Sequence, residues 1–330
     1  MTRATSHVCR PAGLVLTLGL LALAMLAPLR AAAQTRWDGS YFPNAELVTQ
    51  DGKKVKFYDD VLKGKILVIN FIFTSCGDVC PLDTAQLRRV QELLGDRVGR
   101  DIFMYSISVD PQNDTPEKLR EFMHKFQIGP GWTFLTGRQD DIDTIQTKLG
   151  LRPAGVTPAA HSTSIIIANE KTGQWVKRSP YENPQMLANL LMGHMDPSSV
   201  GPASANSRSY DNAISVSGVA AGEQLYRTRC ASCHTIGGGD GLGPDLLAVS
   251  SRRSPEWLAR WIREPDKMLS EGDPIATAQM AQYRGLPMPN LKLTEKDVAA
   301  LMHFIDTESQ HTMEERAAAE HARHGGHANH

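Results

Sequence analysis

Two short stretches of the 330-residue chain bring together residues able to do chemistry. The first, "FIFTSCGDVCPLD", holds Cys76 and Cys80 with three residues between them. The second, "CASCH", holds Cys230, Cys233 and His234. Dithiol redox enzymes commonly place two residues between their cysteines. The second pair has that spacing and a histidine directly after it. The first pair has one residue more.

CASCH fits the signature of covalent c-type haem attachment. The spacing lets two thiolates add to the two haem vinyl groups while His234 reaches the iron. A plain disulfide or two zinc ligands could use the same cysteines. A zinc site needs two further ligands, and no second cysteine pair follows. The sixth iron ligand must come from the far side. "YRGLPMPNLKLT" offers Met288, between Pro287 and Pro289, which stiffen the loop. Met268 and Met280 are rivals, although a methionine is ordinarily a core filler.

For the first pair, residues at i and i+4 share a face where the backbone is helical. Helix N-terminal amides favour thiolate, and two convergent thiolates suit Cu(I). The same geometry can close a disulfide. Spacing alone leaves a copper site and a redox dithiol both open. His161, in "AAHSTSIII", sits just before an apolar run. A lone histidine is ordinarily a surface or core residue, and His124, His194 and His303 are read that way.

The elements that must position these residues fall into two groups. Over 40–195, strand and helix signals alternate. "KILVINFIF" (65–73) is an almost unbroken apolar run, as in a strand covered on both faces. The first cysteine pair follows it, and 81–94 reads as a helix. A second buried strand is expected at 101–110. A helix is expected at 115–126, with Thr115 as cap and Pro116 at its first position. A helix at 140–150, a strand at 162–170 and a helix at 183–193 complete an α/β sandwich. Residues 220–308 read as helical, with 254–262 capped by Ser254 and 294–306 opened by Thr294 and Asp297.

Between the groups, 196–219 is rich in Ser, Ala, Asn and Gly and reads as a linker. As a flexible coil its ends would lie roughly 27 Å apart, and the domains would meet at an effective concentration on the order of millimolar. Residues 309–330 form a tail with His311, His321, His324, His327 and His330. It could gather Cu(II) or another divalent metal, or it is a solvated, disordered end.

Length suggests about two domains. The chain is 41% hydrophobic, enough for ordinary cores. A net charge of −1 gives no basic surface for nucleic acid. Residues 1–33 read as a signal peptide: Arg3 and Arg10, the apolar run 12–29, then "AAA" at 31–33. The alternative is an uncleaved membrane anchor, since the run is about the length that spans a bilayer. Cys9 precedes the run and is incidental. Cleavage after about Ala33 leaves four of the five cysteines, all in the two motifs. Export implies a periplasmic, oxidising setting.

Residues 220–308 resemble class I cytochrome c domains, through CASCH, "GLGPDL" (241–246) and "MPN". The resemblance implies one covalent haem c, with His234 and Met288 as axial ligands. Residues 34–195 resemble the SCO (SenC) family, the thioredoxin-fold proteins of cytochrome oxidase copper-centre assembly. The match rests on "FIFTSCGDVCPLDT", "SVDPQNDTPEKLREF" (108–122) and "HSTSIIIANEKTG" (161–173). It implies one copper bound by Cys76, Cys80 and His161. Gly77 stands where that family usually has proline, which permits a looser loop. Asp78 is a weaker candidate, for partner recognition. Asp110 and Asp114 read as structural or docking residues.

A haem carries one electron and a disulfide needs two. Protein dithiols have potentials of roughly −120 to −270 mV, and Met/His ligation raises the iron potential. Electrons would therefore run from dithiol to haem, not the reverse. Copper is a one-electron couple that soft ligands pull upward. The leading expectation is a copper-delivery protein whose haem exchanges an electron with the bound copper. Its partners would be the copper-centre subunit of a respiratory oxidase, or another exported copper enzyme, and an electron-transfer protein. The alternative is a thiol–disulfide oxidoreductase that keeps copper-site cysteines reduced. A redox sensor is a third class, but no output domain is visible.

Overall fold

The structure is a computed structural model that describes residues 37–76, 80–152, 163–194 and 221–325. The signal segment 1–33, the linker, Asp78 and His161 lie outside the described residues. So do His327 and His330, and the side chains of Cys80, His194 and His324. Among the described residues, no helix is long and apolar enough to cross a membrane.

The first group of elements builds a seven-stranded mixed sheet. In chain order it holds β1 (Glu46–Thr49), β2 (Lys54–Lys56), β3 (Ile66–Ile72), β4 (Ile102–Ser108), β5 (Trp132–Gly137), β6 (Ile165–Asn169) and β7 (Gln174–Arg178). The spatial order is β2-β1-β5-β4-β3-β6-β7. The three central strands run parallel, with Ile66 opposite Ile102 and Met104 opposite Trp132. β6 joins β3 antiparallel, and β1 joins β5 antiparallel.

The helices are α1 (Cys80–Leu94), α2 (Pro116–Lys125), α3 (Gln139–Lys148) and α4 (Pro184–Asn189). β3 explains its own apolar run. Val68 and Ile72 face one core with Ala85 and Val90 of α1 and Leu119 of α2. Leu67, Ile69 and Phe71 face the other, with Ile142 and Ile145 of α3. Successive side chains on a strand point to opposite faces, so a strand covered on both must be apolar throughout. The cap expected at Thr115 is present: its hydroxyl accepts from the Lys118 amide at 3.4 Å. α3 ends two residues before Gly150, whose φ of 67° supplies the left-handed turn.

The second group is all-helical: α5 (Ala221–Leu225), α6 (Val249–Arg252), α7 (Pro255–Arg263), α8 (Pro265–Ser270), α9 (Pro274–Gln282) and α10 (Glu295–Gly325). α5 crosses α10 at Gly222. A Cβ there would lie 2.1 Å from the Ala300 carbonyl oxygen, so only glycine lets the two backbones meet. α10 extends beyond the helix expected at 294–306 and runs on to Gly325. The buried Ser309 hydroxyl accepts from the Ala248 amide at 3.1 Å, and Arg316 bonds to the Gly237 carbonyl.

Gly222→Ala therefore forces α5 and α10 apart. We expect a loss of about 3 kcal/mol or more, read as a lowered denaturation midpoint of the helical domain.

Candidate metal centres

The chain leaves the sheet at Ile72 and reaches Cys76 four residues later. A buried carboxylate holds this loop. Asp114 accepts from the Thr74 amide at 3.1 Å, from the Thr74 hydroxyl at 2.5 Å and from the Ser108 hydroxyl at 2.5 Å. It is fully buried, and these donors satisfy both of its oxygens. Asp114 thus ties the ends of β3 and β4 together two residues before Cys76. Asp110 instead caps a local turn, accepting from the Asn113 side chain at 2.9 and 3.0 Å.

Cys76 is half-buried, and Cys80 opens α1. Among the described residues, no three His, Cys, Asp or Glu side chains converge on a point that could hold a metal. The expected copper ligand set is not tested by that, because His161 and the Cys80 side chain lie outside them. His124, His303, His311 and His321 are exposed and do not gather.

Sequence reasoning missed Asp83. It lies three residues after Cys80, is 3% exposed, and senses the charge of Cys76. Its carboxylate accepts from the Tyr181 hydroxyl, while Oδ1 has no partner among the described residues. Burial pushes its pKa up to about 7, and the nearby Cys76 adds to the rise. The i+3 spacing from Cys80 was a usable signal. Nothing in the sequence pointed to Tyr181.

The second motif sits on a wide turn, Tyr226–Cys230, closed by the Ala231 amide bonding to the Tyr226 carbonyl. The Cys233 and His234 amides both donate to the Cys230 carbonyl, at 3.0 and 2.9 Å. Both thiols and the imidazole then line one apolar cavity. Exclusion of water pushes the Cys230 thiol up to about 12 and the Cys233 thiol up to about 11.

This cavity fits a haem. His234 Nδ1 lies 2.9 Å from the Pro244 carbonyl, which makes Nδ1 the donor and leaves Nε2 for a metal. Gly243 packs flat against the ring, where a Cβ would come within 2.6 Å of Cε1. Asp245 fixes the following loop by accepting from the Gly237, Gly239 and Leu247 amides at 2.7 to 2.8 Å. The buried Nε of Arg253, which borders the cavity, has no partner among the described residues and suits a propionate. Met288 and Met280 both line the cavity. Met268 does not: it is 1% exposed in the core, and is thereby removed as a rival ligand.

Asp83 has a measurable signature. Its folded pKa lies above the 3.8 of a free carboxyl, so folding binds a proton between about pH 4 and pH 7. Stability falls as pH rises through that window and is flat above it. Asp83→Asn removes the slope and stabilises the apoprotein at pH 8 by roughly 3–4 kcal/mol, measured by denaturant unfolding at several pH values.

Comparison with known proteins gives two consecutive matches. The profile of the SCO1/SenC family matches residues 34–191, and that of cytochrome c matches 219–309. A SCO1 protein homolog of Bacillus subtilis is 32% identical over 145 residues, covering 41% of this chain and 74% of that one. The crystal structure of a SCO1/SenC family lipoprotein from Bacillus anthracis is 29% identical, with a TM-score of 0.41, covering 47% of this chain and 93% of that one. Copper-bound ScoI of Bradyrhizobium japonicum is 26% identical, with a TM-score of 0.37, covering 44% and 94%. Because it covers 74% of the 32%-identical Bacillus subtilis homolog, the chain belongs to the SCO1/SenC family, and it carries a cytochrome c domain after that match.

Proposed function

We propose that this is an exported, periplasmic copper-binding assembly factor that delivers copper to the copper centre of a respiratory oxidase. The observation that carries the reading is the seat of the cysteine pair. Cys76 ends a loop pinned by a buried carboxylate, and Cys80 is the first residue of a helix. Two soft donors in such a place suit Cu(I) cargo. His161 is the third ligand in this reading. Family membership supports it, as does the family's link to oxidase assembly.

The fused domain would hold one haem c through Cys230 and Cys233, with His234 and Met288 on the iron. Such a group supplies a one-electron couple of raised potential. It would exchange electrons with the bound copper and set the oxidation state of the cargo. The chain's own part is to hold the Nε2 of His234 free, to exclude water from the cavity and to present a thioether from a proline-flanked loop.

One observation favours the alternative of a thiol–disulfide oxidoreductase that keeps the cysteines of a copper-site apoprotein reduced. Asp83, a buried carboxyl next to Cys76, could take or give the proton of a thiol. His161 separates the two readings, because a copper site needs it and a dithiol does not.

Cu(I) competition on reduced, haem-loaded protein should show one tight copper, weakened at least tenfold by each of Cys76→Ser, Cys80→Ser and His161→Ala. Binding indifferent to His161→Ala would hand the lead to the oxidoreductase. For the haem, Met288→Ala should lower the iron potential and change the axial-ligand Raman signature, whereas Met280→Ala should leave both as they are. The reverse pattern would move the sixth ligand to Met280.

A further inference from the structure

An amphipathic helix laid on a sheet keeps its polar residues on the solvent side. The start of α1 does not. Residues 81–87 are all buried, including Asp83, Thr84 and Gln86, while Arg89 and Glu92 further along are exposed. The sheet and α4 cannot account for every side of two helical turns. The remaining side is taken by the cytochrome domain.

Three kinds of contact make this seat. Gln86 Nε2 donates to the Thr228 carbonyl at 3.0 Å, two residues before the haem motif. The Arg229 guanidinium lies over the Tyr181 ring, 5.1 Å from its centroid, and its charge reaches Asp83. Leu242, Cys233 and Leu286 line the haem cavity and also belong to the apolar cluster that includes Ala85, Leu87 and Val90 of α1. Arg88 of α1 is close enough to Cys233 for its charge to act on the thiol. A separate, mixed-charge cleft is lined by Arg284 of the cytochrome domain and by Glu117, Arg120, Glu121, His124 and Lys125 of α2.

We propose that the face formed by α1 and Tyr181 is a built docking surface for the chain's own cytochrome domain. Gln86–Thr228 and Tyr181–Arg229 pin the Cys233 side of the haem cavity against the helix that begins at Cys80. From Cys80 to Gln86 the helix axis rises about 9 Å. The two centres therefore meet through a fixed contact and not through encounters of tethered domains. As a route for electrons, the surface rests on the proposed haem–copper exchange. In that exchange one electron leaves ferrous iron and reduces Cu(II) to Cu(I), with no bond made or broken.

The test uses the haem-loaded full chain and two variants. Gln86→Glu sets a carboxylate against the Thr228 carbonyl oxygen, and Arg229→Glu reverses the charge over Tyr181. Nitrogen-15 relaxation should give one rotational correlation time for both domains of the parent, and shorter, unequal times for each variant. Separate times in the parent, or unchanged times in both variants, would overturn the seat. Should Arg229→Glu fail to take up haem because it adjoins Cys230, Gln86→Glu on the other domain decides alone. With copper bound, the intramolecular electron-exchange rate should fall at least tenfold in the variants at unchanged Cu(I) affinity. An unchanged rate in undocked variants would overturn the route and leave the proposed exchange standing. A parent that tumbles as one body yet exchanges no electron would overturn the exchange and the route together, and leave the seat.

Discussion

The first two turns of α1 are buried on every side, and both halves of the molecule are arranged around that constraint. A helix in this position cannot spare a side for water, so its polar residues must find partners inside the protein. Gln86 finds one in the Thr228 carbonyl, and Asp83 finds Tyr181. The sheet beneath is apolar on both faces for the same reason. Cys80 is the first residue of this buried rod, and Asp114 fixes the loop that leads to Cys76.

The cytochrome domain meets a similar demand by other means. Its cavity is walled by apolar side chains, so the few polar groups in it have defined tasks. The Pro244 carbonyl sets the tautomer of His234, and Gly243 makes room for the ring. Asp245 gathers three backbone amides and holds the loop that supplies both residues. The close crossing of α5 and α10 at Gly222 places the turn before the haem motif. α10 then continues past the domain core, carrying part of the histidine-rich segment as helix.

The two domains differ in what their centres can exchange. A dithiol passes electrons in pairs, and a haem takes one. Copper held by soft donors matches the haem in number and lies closer in potential. Under the proposed electron exchange, that match is a physical reason for joining these domains in one chain, and the proposed docking surface gives it a geometry.

Much of this was legible in the sequence. An unbroken apolar run marked β3, Thr115 and Pro116 marked the start of α2, and CASCH marked the haem turn, because each depends on local spacing alone. The strands β1, β2, β5 and β7 were not legible. β2 and β7 are short, partly exposed edge strands, while β1 and β5 draw their order from pairing with strands distant in the chain. The end of α10 was misread because its outer face is polar, while the contacts that hold it, at Ser309 and Arg316, come from loops far away in the chain. Residue types and their spacing by themselves marked the haem motif and left the first cysteine pair open between a copper site and a redox dithiol. The three-dimensional fold alone decided that Met268 is core while Met280 and Met288 face the cavity, that Asp114 is a pin, that Asp83 is buried beside Cys76, and that α1 carries the second domain. Each of these depends on residues distant in sequence becoming neighbours, and burial, which sets the charge and freedom of a side chain, exists only once they do.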